Sequence, residues 1–373
     1  MMRAFLQKIL SNPVIKLANK YSSKPDQKRV HNALSSLFNK IQTQPGKHGL
    51  ILDFNDSSRL VIFSDQHKGS RNFNDDFARS EKNYLAALDY YNAENYTYCN
   101  LGDSEELWKN TLLGVLKSNT ATFQQEHLFS ERNAFIKIFG NHDLYWDNDP
   151  LAPFTLEKVY GRKIKIYEGV ILRMVLKNTP LSIFLTHGHQ GDLQSDGNWF
   201  SKWFVSTIWA PFQSYLRINP NTPAYNSQLK SEHNMMMYNW TAKQSNLVLI
   251  TGHTHQPVFN SLTHLERMYM KLETARKNNN QSEIQQIEAE LAAGKFSGET
   301  SPRLAYSKNT YFNTGCCCFS DGDITGIEIE GGKIRLIKWK SEGNDQTKRI
   351  ILEESALEEL LDATTINSIS QIH

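Results

Sequence analysis

Short apolar runs recur between polar stretches along this chain, and each has the length of a strand rather than a helix. Residues 59–64 (RLVIFS), 96–101, 134–139 (AFIKIF), 170–176, 181–186 and 247–251 (LVLIT) are such runs, and they predict buried strands. Residues 76–92 carry helical spacing, and Asn178, Thr179 and Pro180 mark a turn between two of the strands. Strands alternating with helical segments predict an α/β architecture. The C-terminal part differs. Residues 311–318, 324–329 and 333–339 read as strands joined by very short turns such as Glu330-Gly331-Gly332, which is an antiparallel pattern. The sheets are therefore expected to be mixed.

The chain has 373 residues, a length that suits one large domain with insertions. Residues 1–45 read as a basic helical arm with a polar break at 22–25. Its basic residues are Arg3, Lys8, Lys16, Lys20, Lys24, Lys28, Arg29 and Lys40, against the single acid Asp26. The preferred reading is a solvated helical lid, and the alternative is contact with an acidic partner or an anionic membrane surface. Residues 46–353 form the main domain, with two insertions. The first, 198–242, holds four of the seven tryptophans and reads as an aromatic helical cap. The second, 262–293, is charged, helix-favouring and broken at 278–280, as in a helical hairpin that lies on the core or pairs with a second copy. Residues 354–373 are expected to form a C-terminal helix and tail. The oligomeric state cannot be read from these patterns.

A net charge of +2 does not describe a polycation, and no stripe of basic and aromatic residues surrounds the polar motifs, so nucleic acid is not an expected partner. No stretch approaches the ~20 apolar residues of a membrane-spanning helix. Lys8 and Lys16 interrupt any apolar signal segment, which makes the cytoplasm the expected location and leaves peripheral contact with the inner face of a membrane open. Cys316, Cys317 and Cys318 are adjacent, so they make a poor disulfide framework, and with Cys99 they lack the paired spacing of a zinc site. They are expected to be reduced, buried residues of a strand, in a reducing compartment.

Five of the apolar runs end in metal-ligand chemistry. The sequences that follow them are Asp65-Gln66-His67, Gly102-Asp103, Gly140-Asn141-His142-Asp143, His187-Gly188-His189 and Gly252-His253-Thr254-His255. Ligands of α/β sheets collect beyond the carboxyl ends of strands, so these five ends are expected to converge. Carboxylate, amide and imidazole donors without a thiolate suit Mn²⁺, Fe or Zn²⁺ rather than Ca²⁺ or a structural zinc. The glycines leave room for sharp turns beside the metals.

The set resembles the calcineurin-like metallophosphoesterase superfamily, whose pattern D-x-H, G-D, G-N-H-D/E, H and G-H-x-H is present here in order from residue 65 to 255. The resemblance implies mixed sheets packed as a sandwich and flanked by helices. It also implies two divalent metals, with manganese the first choice. Asp65, His67 and His255 would hold one metal, Asn141, His187 and His253 the other, and Asp103 would bridge them. Two metals ~3.5–4 Å apart would clamp phosphate oxygens and hold a hydroxide that attacks phosphorus in line. His142 would protonate the leaving oxygen, with Asp143 orienting its ring. The substrate would be a phosphoester or a pyrophosphate.

The run from Gly102 to Trp108 reads G-D-x-x-E-x-W, and Gly252-His253-Thr254-His255-Gln256-Pro257 reads G-H-T-H-x-P. Both are similar to the UDP-diacylglucosamine pyrophosphohydrolases, which imply a lipid-linked nucleotide-diphosphate substrate. Those enzymes carry arginine where His142 stands and are much shorter, so a relative of that branch is expected rather than the enzyme itself. Glu106, Trp108 and His189 would meet the substrate, with His189 alternatively a support for His187. The competing reading is a soluble phosphodiesterase or phosphatase acting on nucleotides or phosphoproteins. A non-catalytic phosphate-binding protein is disfavoured because no ligand is missing.

Overall fold

The structure is a computed structural model that describes residues 26–72, 75–191, 227–293, 310–342 and 346–365. The polar break at 22–25, most of the aromatic insertion and the tail beyond 365 lie outside these residues. The strands are β1 (Gly49–Asp53), β2 (Arg59–Phe63), β3 (Thr97–Leu101), β4 (Phe135–Ile138), β5 (Ile166–Tyr167), β6 (Gly169–Leu176), β7 (Thr179–Thr186), β8 (Leu247–Thr251), β9 (Val258–Phe259), β10 (Leu262–Thr263), β11 (Tyr311–Asn313), β12 (Ile324–Glu330), β13 (Lys333–Glu342) and β14 (Gln346–Ala356). They form two seven-stranded mixed sheets, ordered β1-β6-β7-β8-β11-β9-β10 and β14-β13-β12-β2-β3-β4-β5. The fold is thus the expected α/β sandwich of mixed sheets.

Alternation along each strand explains the layers. Leu60 and Ile62 of β2 join Val170, Leu172, Ile183, Leu185, Val248 and Ile250 of the opposite sheet in one core between the sheets. Val61 and Phe63 face the other way, onto Tyr84, Leu88 and Tyr91 of the helix Glu81–Ala93. On the far sheet Ile171, Phe184 and Leu249 face Val30, Leu34, Leu37 and Ile41 of the helix Gln27–Thr43, with Met237 and Trp240 of the helix Ser227–Thr241. The 4-3-4 spacing of those four apolar residues puts them on one helical face. Strands buried on both sides lose polar alternation, which is why they read as continuous apolar runs.

Several local expectations are corrected. The β6–β7 turn is Lys177-Asn178, both with positive φ, and Thr179 and Pro180 already belong to β7. Two left-handed residues match the twist of a tight hairpin. Pairing of β7 with β8 begins only at Ser182, so Pro180 withholds no N–H from that neighbour. The run at 311–318 is a strand only to Asn313, because Gly315 (φ 78°) turns the chain, and the three cysteines lie in the following loop. β14 was not anticipated, and it crosses the boundary expected at 353. As an edge strand it alternates exposed and half-buried positions with many charges, which hides it in a search for apolar runs.

The charged insertion forms the helices His264–Lys277 and Gln281–Ala293. Thr263 and Glu266 make a reciprocal capping box at its start. Met268, Leu272, Ala275 and Ile287 close the hairpin on itself, and Arg267 pairs with Glu353 of β14 at 3.0 Å. No helix among the described residues is long and apolar enough to cross a membrane.

Candidate metal centre

The polar residues that follow β2, β3, β4, β7 and β8 meet at one rim of the sandwich. Three of these strands belong to one sheet and two to the other, so the site exists only where the sheets pack. The loops after β2 and β3 prolong the strand pairing. Asp65 N–H donates to the Gly102 carbonyl at 3.0 Å, His67 N–H to Asp103 at 2.9 Å and Lys68 N–H to Ser104 at 3.0 Å. This extension lays Asp65 and His67 beside Asp103.

Five expected ligands hold a left-handed backbone: Asp65 (φ 54°), His67 (51°), Asp103 (50°), His253 (70°) and His255 (55°). Each such non-glycine residue costs on the order of 1–3 kcal/mol and persists only where surrounding structure enforces it. Glycines admit the crowding. A Cβ on Gly140 would lie 2.1 Å from Asp103 Oδ1, and one on Gly252 would lie 2.5 Å from Asp65 Oδ2.

Six of the expected ligands lie side by side. His255 Nε2 is 3.1 Å from both Asp65 Oδ1 and His67 Nε2, and His67 Nε2 is 3.8 Å from both Asp65 Oδ1 and Asp103 Oδ2. His187 Nε2 is 3.2 Å from Asp103 Oδ2, and Asp103, His187 and His253 present donor atoms within 4.8 Å of one another. The set fits divalent metals on a direct test. Asp65 Oδ1, Asn141 Oδ1, His187 Nε2 and His253 Nε2 are buried and accept or donate no hydrogen bond among the described residues. Buried polar atoms are costly unless something satisfies them. The ring of His187 also points the right way, since Nδ1 pairs with the Leu101 carbonyl at 2.9 Å and leaves the Nε2 lone pair for a metal.

Charge follows the geometry. Burial alone would lower the His187 and His255 rings. For His187 the carboxylates of Asp103 and Asp65 outweigh burial, for His255 chiefly Asp65, and each ring is held up at about 9. Burial opposes ionisation of Asp65, yet His255 and His187 hold its carboxyl well below the usual range. His253, buried against the His233 and His187 rings, is pushed down.

His142 sits at the open side, half-buried, with its backbone N–H on Asp103 Oδ1 at 2.8 Å. Its ring does not meet Asp143. That carboxylate instead accepts the backbone N–H groups of Gly140 (2.5 Å) and Ser104 (2.8 Å), so it braces the two loops. The carboxylate on His142 Nδ1 is Glu106, at 2.9 Å, and its other oxygen is 3.4 Å from His67 Nδ1. Glu106, expected to meet substrate, is 1% exposed and spends its two oxygens on these rings. Trp108 stacks on the His142 ring with centroids 4.1 Å apart. His189 is buried beside His187, at 5.5 Å between centroids.

Sequence reasoning missed four contributors. His233, from the helix Ser227–Thr241, is buried with its ring 5.1 Å from His253. Cys318 places Sγ 3.7 Å from His255 Nδ1. Lys109 lies 3.6 Å from Glu106 Oε2. Lys68, fully buried, bonds Glu126 at 2.8 Å and lies 3.2 Å from Glu105, which also holds Lys137 at 2.9 Å, so an internal charge network fixes the two loops from below. Only Lys68 and Lys109, each next to or near a motif, left any signal in the sequence.

The family model for calcineurin-like phosphoesterase matches residues 58–257, and the chain belongs to that family. It is thus a phosphoesterase of the metal-dependent kind. None of the curated proteins matches it. Among solved structures the chain is similar to Vacuolar Protein Sorting 29 from Cryptosporidium parvum, at 12% identity and a TM-score of 0.33, over 81% of this chain and 100% of that one.

Proposed function

We propose that this rim is a two-metal hydrolytic centre acting on phosphoester or pyrophosphate bonds. Asp65, His67 and His255 would hold one ion, Asn141, His187 and His253 the other, with Asp103 between them. The observation that carries this is the convergence of buried, unsatisfied donor atoms from four strand ends of two sheets, with Asp103 from a fifth beside them. The bound metals would supply Lewis-acid charge to the phosphoryl oxygens and a nucleophilic water at neutral pH. Oxygen and imidazole donors favour Mn²⁺, with Fe or Zn²⁺ as the alternatives.

The chain's own residues do the rest. Glu106 pairs with His142 Nδ1, which holds a proton on that nitrogen and fixes the angle of the ring. Nε2–H then donates to the leaving oxygen as the phosphorus bond breaks. Trp108 closes one face of that ring and limits its rotation. Asp143 holds Gly140 and Ser104, and so keeps Asn141 and Asp103 in place.

For the substrate, the G-D-x-x-E-x-W and G-H-T-H-x-P runs support a lipid-linked nucleotide-diphosphate sugar, and the four free cysteines support a reducing compartment. The second reading is a soluble diester or monoester, favoured by His142 standing where that branch carries arginine. The test is a metal-reconstituted activity screen across an acylated nucleotide-diphosphate sugar, cyclic nucleotides and a chromogenic diester, together with liposome flotation. A strong preference for the acylated substrate, with liposome binding, supports the lipid reading. Equal rates on acylated and water-soluble diesters, with no liposome binding, would transfer the assignment to the soluble reading.

A further inference from the structure

His255 offers the centre only one nitrogen. Its Nε2 lies 3.1 Å from Asp65 Oδ1 and 3.1 Å from His67 Nε2, which points that lone pair into the metal position. The ring proton must then sit on Nδ1, on the far side. Metal-binding histidines normally give that second N–H to a carboxylate, a carbonyl or water, and the acceptor fixes both tautomer and ring angle. His187 follows this habit with the Leu101 carbonyl. At His255 the atom in that position is a sulfur, Cys318 Sγ, 3.7 Å from Nδ1.

The sulfur is delivered by backbone geometry. Gly315 turns the chain after β11, where a Cβ would lie 2.0 Å from Thr325 Oγ1. Cys317 N–H then donates to the Asp65 carbonyl at 3.1 Å, which anchors the cysteine loop directly to a metal-ligating residue. Cys316 and Cys317 are buried and Cys318 is half-buried; Cys316 also bonds the side chains of His255 and Cys318, so the two thiols share that side of the ring. His67, His255 and Cys318 present donor atoms within 4.8 Å of one another.

We propose that Cys318 is a positioning residue for the metal centre. Its sulfur accepts the His255 Nδ1–H, sets the imidazole for the ion shared with Asp65 and His67, and makes the affinity of that one ion depend on a thiol. The inference rests on the two-metal reading above.

The test titrates the full-length, metal-stripped chain with Mn²⁺ and with Co²⁺, comparing the unaltered protein with Cys318→Ala and Cys318→Ser. Stoichiometry is read by mass spectrometry and the cobalt site by its absorption spectrum. The unaltered chain should bind two ions and show no sulfur-to-cobalt charge-transfer band. Cys318→Ala should weaken one of the two ions by roughly 10–100-fold and leave the other unchanged. Serine, which keeps an acceptor in place, should restore most of the loss. Far-ultraviolet circular dichroism separates a local effect from misfolding, and the serine variant keeps the comparison valid if alanine unfolds the loop. Equal binding of both ions by all three proteins overturns the proposal. A charge-transfer band that Cys318→Ser abolishes also overturns it, because the sulfur would then be a ligand itself. Failure of the unaltered chain to bind any ion would instead sink the two-metal reading.

Discussion

His142 is held from three sides: Glu106 at Nδ1, Trp108 on its face and Asp103 at its backbone N–H. It lies within ligand reach of Asp103 and His67 but is the more exposed of the three. Replacing it with alanine should keep both metals and lower turnover by roughly 10²–10⁴ on a substrate with a poor leaving group, and less with nitrophenolate. Unchanged turnover with the poor leaving group would remove His142 from the acid role. Glu106→Gln tests the partner. Burial would raise the Glu106 carboxyl, but His142 and Lys109 hold it well below the ordinary range, so it stands as an anion against His142 Nδ1. Glutamine weakens that anchor, so the variant should lose about 10–100-fold in turnover on the substrate with a poor leaving group and much less with nitrophenolate. An equal loss on both substrates contradicts the orienting role.

At the scale of elements, the centre depends on how closely strand ends approach. β3 and β4 pair in parallel up to Leu101 and Ile138, and the loops beyond them are pressed together at Gly140. Its added Cβ would meet the Asp103 carboxylate at 2.1 Å and the Asp103 backbone N at 2.5 Å. Gly140→Ala should therefore displace Asp103, and the purified variant should carry less metal by mass spectrometry, with activity falling in parallel. Gly331, in the β12–β13 turn, is the control, because a Cβ there meets nothing within 4 Å. Gly331→Ala imposes a left-handed alanine and should cost about 1–2 kcal/mol of stability, read by urea denaturation, while the metals stay bound. Full metal loading of Gly140→Ala would show that the loop yields more easily than its contacts indicate.

For the whole molecule, the packing of the two sheets sets the protonation of the site. Asp65 and Asp103 come from one sheet, His187 and His255 from the other. Their apposition holds both rings at about 9 despite burial, so in the metal-free chain both are charged at neutral pH. A metal needs the neutral ring, and loading must expel those protons. The sign follows directly: affinity should rise as pH climbs from about 6 towards 9, by up to about tenfold per pH unit for each proton released. Calorimetry in two buffers of different ionisation enthalpy would count the protons. A pH-independent affinity with no proton released would contradict this coupling.

The five apolar runs and the polar motifs after them were legible because burial on both faces removes polar residues from a strand and leaves chemistry only at its end. Local composition thereby marked the five strand ends, and the resemblance to the calcineurin-like superfamily picked out Asp65, His67, Asp103, Asn141, His187, His253 and His255 among their residues. It could not show that they come from two sheets, because sheet membership depends on pairings between residues far apart in the chain. Nor could it show the left-handed backbone at five of them, since only surrounding contacts enforce that conformation on aspartate and histidine. The exchange of Asp143 for Glu106 at His142, and the arrival of His233 and Cys318 beside the ligands, were decided by tertiary structure for the same reason. A side chain's partner is fixed by where packing carries it, and distances across the sandwich leave no trace in local sequence.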